Sequence, residues 1–249
     1  MVEKLVLKTK DIILSKNKLK VSIKSKNDFV TDVDIAVSNF LKKELYKLDS
    51  SISFFSEEGS GNLSNNCWIL DPIDGTTNLI YGYNLSSVSL AHYVNGEVVF
   101  GMVFNPFTDE IFTAKKGKGA YFNHNIKLVV SKHKIDESLI EFGAGSTHKE
   151  YADENFRLVS EIFKACVDVR RICSSALDLC YIASGRIDGY FEKILNPWDI
   201  AAGSLILTEA GGKITDYEYN PIQFSKETSV IASNSIIHDI LFDIICKNR

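Results

Sequence analysis

The spacing of apolar positions changes twice along the chain. Val2, Leu5, Val6, Ile12 and Ile13 recur at helical intervals, as do Val37, Phe40, Leu41, Leu45 and Leu48. These predict two amphipathic helices separated by a polar loop, Lys24–Asp28, with Thr31-Asp32-Val33-Asp34 as a helix-start signal. From Ile52 the texture becomes β-rich, with runs at 52–55, 68–70, 88–93, 98–104, 110–114 and 120–122 bounded by turn residues. Asn95-Gly96 predicts a tight hairpin between two of them, and Lys116-Gly-Lys-Gly119 a further turn. Beyond residue 135 strands at 139–142, 189–192 and 230–232 alternate with helices at 156–167, 174–184, 199–210 and 236–245. Gly211-Gly212 closes the third of those helices. A strand-rich half followed by an alternating half predicts a mixed α+β protein of layered sheets and helices, in two lobes, 1–135 and 136–249, that meet.

With 249 residues, 45% hydrophobic and 24% charged, the chain can bury a core without staples. Its five cysteines (Cys67, Cys166, Cys173, Cys180, Cys246) form no C-x-x-C pair. With no signal-peptide pattern, they are expected to be reduced thiols of a cytoplasmic protein. No run of about 18 apolar residues predicts a membrane span. The net charge of −4 argues against a nucleic-acid partner, and the lysine-rich stretches Lys16–Lys26 and Lys115, Lys116, Lys118 read as solvated faces. The five histidines match no zinc pattern, and Cys173, Ser174 and Ser175 have no base at motif spacing for covalent catalysis.

The chemistry concentrates in Trp68-Ile-Leu-Asp71-Pro-Ile73-Asp74-Gly75-Thr76-Thr77-Asn78. An apolar strand runs into two carboxylates that the proline holds close, and such a pair repels unless a cation lies between them. Mg²⁺ suits oxygen ligands of this kind and leaves room for water and phosphate. Three further acidic segments stand at strand ends or helix starts: Asp28–Asp34, Ser56-Glu57-Glu58-Gly59, and Asn196-Pro-Trp-Asp199-Ile-Ala-Ala-Gly203. Each also serves as an ordinary turn or helix cap.

Together, and in this order, these segments resemble the inositol monophosphatase family: D-x-V-T-x-x-D, E-E, W-x-x-D-P-x-D-G-T-x-N, W-D-x-A-A-G and E-A-G-G, the last at Glu209–Gly212. Phe112–Ala120 and Ala176–Gly185 extend the resemblance over nearly the whole chain. It implies a layered αβαβα sugar-phosphatase fold with the active site between the lobes. It implies a lithium-sensitive, Mg²⁺-dependent hydrolase of inositol 1-phosphate or a related polyol phosphate, acting through a metal-activated water. By the same resemblance Glu58, Asp71 and the Ile73 carbonyl bind one Mg²⁺, and Asp71, Asp74 and Asp199 a second. A third, weaker ion near Glu58 occurs in some members. Asp34 and Thr76 orient the water, Gly75 and Thr76 N–H groups hold phosphate, and Asp74 and Glu192 meet the substrate. A homodimer is implied as well.

Tyr81, Asn84, Ser56 and Cys173 depart from the family pattern, and the family's early lysine aligns only approximately with Lys24 or Lys26. Arg170-Arg171 reads either as a surface pair or as a group that contacts a second phosphate. Fructose 1,6-bisphosphate, 3′-phosphoadenosine 5′-phosphate and histidinol phosphate are the alternative substrates. A regulatory partner of RNA or RNA polymerase is the alternative of another class.

Overall fold

The computed structural model describes residues 1–15, 18–59 and 61–249, so Lys16 of the first lysine-rich stretch lies outside the described residues. Five layers stack in the order helix, sheet, helix, sheet, helix. The outermost pair is α1 (Val2–Leu14) and α2 (Asp32–Leu48), joined through a hairpin of β1 (Val21–Ser25) and β2 (Asp28–Thr31). Their apolar stripes, with Val6, Val33, Val37 and Leu41 fully buried, cover one face of a seven-stranded sheet. That sheet runs in chain order: β3 (Ser53–Ser56), β4 (Asn66–Asp74), β5 (Ser87–Val94), β6 (Glu97–Asn105), β7 (Glu110–Lys115), β8 (Ala120–Phe122) and β9 (Ile126–Lys127). Within that sheet only β3 and β4 pair in parallel, and the short α3 (Thr76–Tyr81) leaves the end of β4.

The second sheet contains β10 (Leu139–Phe142), β11 (Asp168–Arg170), β12 (Gly189–Leu195), β13 (Lys213–Thr215) and β14 (Thr228–Ser233), in the order β11-β10-β12-β14-β13. Between the sheets lie α5 (Ser175–Ala183) and α6 (Pro197–Glu209), and the far face is closed by α4 (Ala152–Ala165) and α7 (His238–Asn248). The inner position of α6 follows from its composition. Ile200 to Leu207 are all buried, as expected of a helix apolar on every side. Small residues let it approach closely: a Cβ on Gly101 would lie 2.7 Å from the Ala202 carbonyl, and one on Gly203 2.8 Å from Leu179 Cβ. Ile69 and Ala91 of one sheet share a core with Leu179, Ile206 and Val230 of the other half. At the end of α6, Glu209 accepts hydrogen bonds from Gly117 and Gly119 N–H, each at 2.7 Å, and so holds the turn between β7 and β8.

The segment Lys24–Asp28, predicted as a loop, is the tip of the β1–β2 hairpin, with Asn27 at φ 63° in the turn. Every residue of β1 is exposed, so no alternation of apolar and polar positions marks it. The two-residue β9 and three-residue β11 and β13 are too short to leave a period. No helix among the described residues is long and apolar enough to cross a membrane.

Candidate active site

The parallel pairing of β3 with β4 sets Ser56 beside Leu70, and Glu57 N–H continues the ladder to the Leu70 carbonyl at 3.2 Å. Glu57 thus comes level with Asp71. Pro72 interrupts the antiparallel register with β5 between Asp71 and Asp74. Asp71, 2% exposed, is steadied by Ile73 N–H on Oδ1 at 3.0 Å. Asp74 receives Ser174 Oγ at 2.5 Å and Ala176 N–H at 2.9 Å, both on Oδ2. Gly75 then turns the chain at φ 85°, where a side chain would press on the Leu85 and Cys173 carbonyls at about 3 Å.

Asp34 and Asp199 both cap helices; Asp199 also lines the cavity, and Asp34 reaches Thr76, which lines it. Thr31 N–H donates to Asp34 Oδ2 at 2.9 Å, the Thr31 hydroxyl also bonds Oδ2, and Oδ1 faces Thr76 Oγ1 at 3.0 Å. Asn196 N–H holds Asp199 Oδ2 at 2.6 Å at the start of α6. The capping and site readings of these segments were alternatives in the sequence; in the structure one carboxylate oxygen serves each. The Thr76 hydroxyl has a second acceptor, the Ile73 carbonyl, also at 3.0 Å.

Of the paired glutamates, Glu57 lines the cavity. It is level with Asp71, and Glu58, the ligand that the family resemblance implies, is the next residue along. Lys24 donates to Glu57 Oε1 at 2.9 Å and also bonds Glu58, which marks it, rather than Lys26, as the hairpin lysine at the site.

Among the described residues, Lys24 is the only base bonded to any of these acids. Burial, then the charges of Glu57, Asp74 and Asp199, push the Asp71 carboxyl well above its usual range. Burial, and then Asp74, do the same to Asp199. Asp74 is pushed up to about 7, chiefly by burial, with the Ser174 and Ala176 bonds opposing. Burial likewise raises Asp34, against its bonds from Thr31 and Thr76. Among the described residues no three acidic, histidine or cysteine side chains are already closed around one point as a ligand set. One oxygen of Asp71, Asp74 and Asp199 is tied to a protein donor, and Glu57 is drawn to Lys24. The donors nonetheless fit a hard divalent cation: all are oxygens, they repel one another as they stand, and a cation reverses that penalty.

Across the cavity, of about 370 Å³, stands Glu192 on β12. The Tyr190 hydroxyl bonds its Oε2, and Gly145 N–H bonds Oε1 at 3.0 Å. Gly143 packs against this carboxylate so tightly that a Cβ there would lie 1.9 Å from Oε2. The four family departures separate here. Cys173, at φ 60°, lines the cavity, whereas Ser56 is buried beside Ser38, Tyr81 is exposed, and the Asn84 carbonyl accepts from Asn105. Arg170 turns to Asp168 while Arg171 reaches the cavity rim. Ser174 holds Asp74 and the Ser175 hydroxyl bonds that of Tyr190, roles that carry no nucleophile pattern in the sequence.

Comparison with known proteins agrees with this geometry. The chain matches the inositol monophosphatase family over residues 3–248. It is 36% identical over 234 residues to an inositol-1-monophosphatase of Mesorhizobium japonicum, covering 92% of this chain and 87% of that protein. It is also 36% identical over 226 residues to Nus factor SuhB of Pasteurella multocida, covering 90% and 85%. The structure of the Thermotoga maritima IMPase superposes with a TM-score of 0.91 at 31% identity, covering 98% of this chain and 94% of that one. A buried acid cluster at the strand end that carries the family's longest motif, in a chain matched almost end to end, leaves one conclusion: this is a phosphatase and belongs to the inositol monophosphatase family.

Proposed function

We propose that the chain hydrolyses inositol 1-phosphate or a related small polyol phosphate with the help of Mg²⁺. Glu57, Asp71 and the Ile73 carbonyl would hold one ion, and Asp71, Asp74 and Asp199 a second. When bound, such ions offset the phosphate charge and make a water acidic enough to attack at neutral pH. The chain's own part is orientation. Donation of the Thr76 proton to Asp34 leaves the Thr76 oxygen free to accept from a water, turning that water's lone pair toward phosphorus. The new P–O bond forms as the ester P–O bond breaks, and the proton given up passes to the departing alkoxide. Gly75 and Thr76 N–H groups hold phosphate oxygens, and Glu192 accepts from a leaving-group hydroxyl.

The observation that carries this reading is the 3.0 Å contact from Thr76 to Asp34 beside the buried acids. The test is a panel of phosphate esters with Mg²⁺, including fructose 1,6-bisphosphate, 3′-phosphoadenosine 5′-phosphate and histidinol phosphate. Polyol phosphates should be cleaved best, with loss of activity in EDTA and inhibition by Li⁺. Full turnover after exhaustive chelation would sink the metal assignment. A second reading, a role in transcription alongside RNA polymerase, draws on the relatives named Nus factor SuhB; Mg²⁺-independent capture of RNA polymerase would support it. We also infer a homodimer, because Phe156 and Phe163 on α4 and Val167 leave apolar surface exposed. Light scattering at the mass of one chain would reject that.

A further inference from the structure

α5 turns one face to the catalytic cavity. Ser174, just ahead of the helix, and Ser175 and Asp178 in its first turn share that face by helical spacing. The serines are engaged: Ser174 with Asp74 at 2.5 Å, Ser175 with the Tyr190 hydroxyl at 3.1 Å. Asp178 is not. It is 2% exposed, lines the cavity, and its Oδ1 is buried with no hydrogen-bond partner among the described residues. Its place in the first turn of α5 favours a negative charge there but supplies no hydrogen bond to Oδ1. A buried carboxylate oxygen left unpaired is costly, and such groups in native proteins have a reason.

The cavity supplies one. Glu192 is fixed by Tyr190 and Gly145, so it meets a leaving-group hydroxyl from one set position. Asp178 adds a second acceptor in the same cavity. Carboxylates accept from either hydroxyl or ammonium groups, but Arg171 and Lys149 also line this cavity and disfavour a cationic leaving group. Resting on the phosphatase reading above, we propose that Asp178 contacts substrate: it accepts a hydrogen bond from a second hydroxyl of the leaving group. The site thereby selects phosphate esters of polyols with at least two free hydroxyls.

Kinetics of Asp178→Ala and Asp178→Asn with Mg²⁺ test this on two esters, the best polyol phosphate of the panel and p-nitrophenyl phosphate, which has no hydroxyl to read. Asp178→Ala should raise KM for the polyol ester by roughly tenfold to a hundredfold, as for loss of a hydrogen bond to a charged group, with kcat little changed. Both parameters for p-nitrophenyl phosphate should stay within about twofold. Asp178→Asn, which keeps one acceptor oxygen, should recover part of the loss; if Asp178→Ala fails to fold, the isosteric variant carries the comparison with a smaller KM rise. Equal losses on both esters, or no change on either, overturn the proposal, as does a wild-type chain that cleaves p-nitrophenyl phosphate but no polyol phosphate. A wild-type chain that cleaves neither ester would instead bring down the phosphatase reading beneath it.

Discussion

The acid end of β4 and the facing wall of β10, β12 and α5 are built by opposite means. Several of the acids are held by their own sequence neighbours: Asp71 by Ile73 N–H, Asp34 by Thr31 and Asp199 by Asn196. The wall is held from a distance. Glu192 depends on Gly145, 47 residues away, and Tyr190 on Ser175, 15 residues away. Local holding fixes one oxygen of each acid and leaves the other for a different partner, as Asp34 Oδ1 is left for Thr76. Distant holding makes the wall sensitive to packing that never touches substrate. The two regions should therefore fail differently, in turnover and metal affinity on one side and in substrate affinity on the other.

The largest effects belong to the acid end. Asp71→Asn removes the charge expected to serve both ions and should abolish measurable Mg²⁺ affinity together with activity. Asp34→Asn should cut kcat by about 10²–10⁴-fold, the worth of positioned proton-transfer assistance, with Mg²⁺ affinity nearly unchanged. Thr76→Ala should match it, and the double variant should be no worse than either single one. Steady-state kinetics with calorimetric Mg²⁺ titration separate the cases; equal loss of metal affinity in Asp71→Asn and Asp34→Asn would show that Asp34 is a ligand.

Next comes the pair of adjacent glutamates. Glu57→Gln should weaken Mg²⁺ by at least the roughly 10–100-fold seen when a ligand's supporting groups are lost, and Glu58→Gln should do less. Calorimetry on both variants decides, and the reverse order would return the ligand role to Glu58.

On the wall, Gly143→Ala forces the Glu192 carboxylate aside, since the added Cβ would sit 1.9 Å from Oε2. KM for a polyol phosphate should rise about tenfold, the worth of one hydrogen bond to a charged group. p-Nitrophenyl phosphate should be spared, because Glu192 stands across the cavity from Gly75 and Thr76, whose N–H groups are proposed to hold phosphate. A matching rise on both esters would mean that the substitution disturbs the acid end as well.

The same contrast explains what was legible in the sequence. Asp71, Asp74, Asp34 and Asp199 stand in contiguous motifs, and most of the strands and helices have a clear period, so both could be read along the chain. Which of Glu57 and Glu58 lies level with Asp71 could not be read until the register with β4 was known. Gly143, Tyr190 and Asp178 leave no local mark, because their roles arise only when α5 and β12 are brought together. The β1–β2 hairpin stayed hidden because β1 buries nothing.

The smallest expected effect concerns a carboxyl outside the acid cluster. Glu141 on β10 is 3% exposed, and its Oε2 has no hydrogen-bond partner among the described residues. Arg170 lies level with it on β11 but turns its guanidinium to Asp168. Burial accordingly pushes the Glu141 carboxyl up to about 7, with the Arg170 charge opposing. The folded state then binds a proton that the unfolded chain, with an ordinary value of 4.5, releases. Glu141 therefore costs nothing below pH 4.5 and costs stability progressively as pH rises through 7. His238, lowered to about 4 by burial, acts with the opposite slope, its neutral ring bonding Thr215 and Ser233. Both chains of a Glu141→Gln comparison share that contribution, so it cancels in the difference. At pH 8 the variant should be more stable by about 1–3 kcal/mol, within the limit set by the gap between 4.5 and about 7 at 1.36 kcal/mol per pH unit. At roughly 2–4 °C per kcal/mol for a chain of this size, that is a rise in Tm of several degrees. Near pH 4 the two melting curves should nearly coincide. A difference in Tm that does not change between pH 4 and pH 8 would show that Glu141 finds a partner in solution and titrates like an ordinary glutamate.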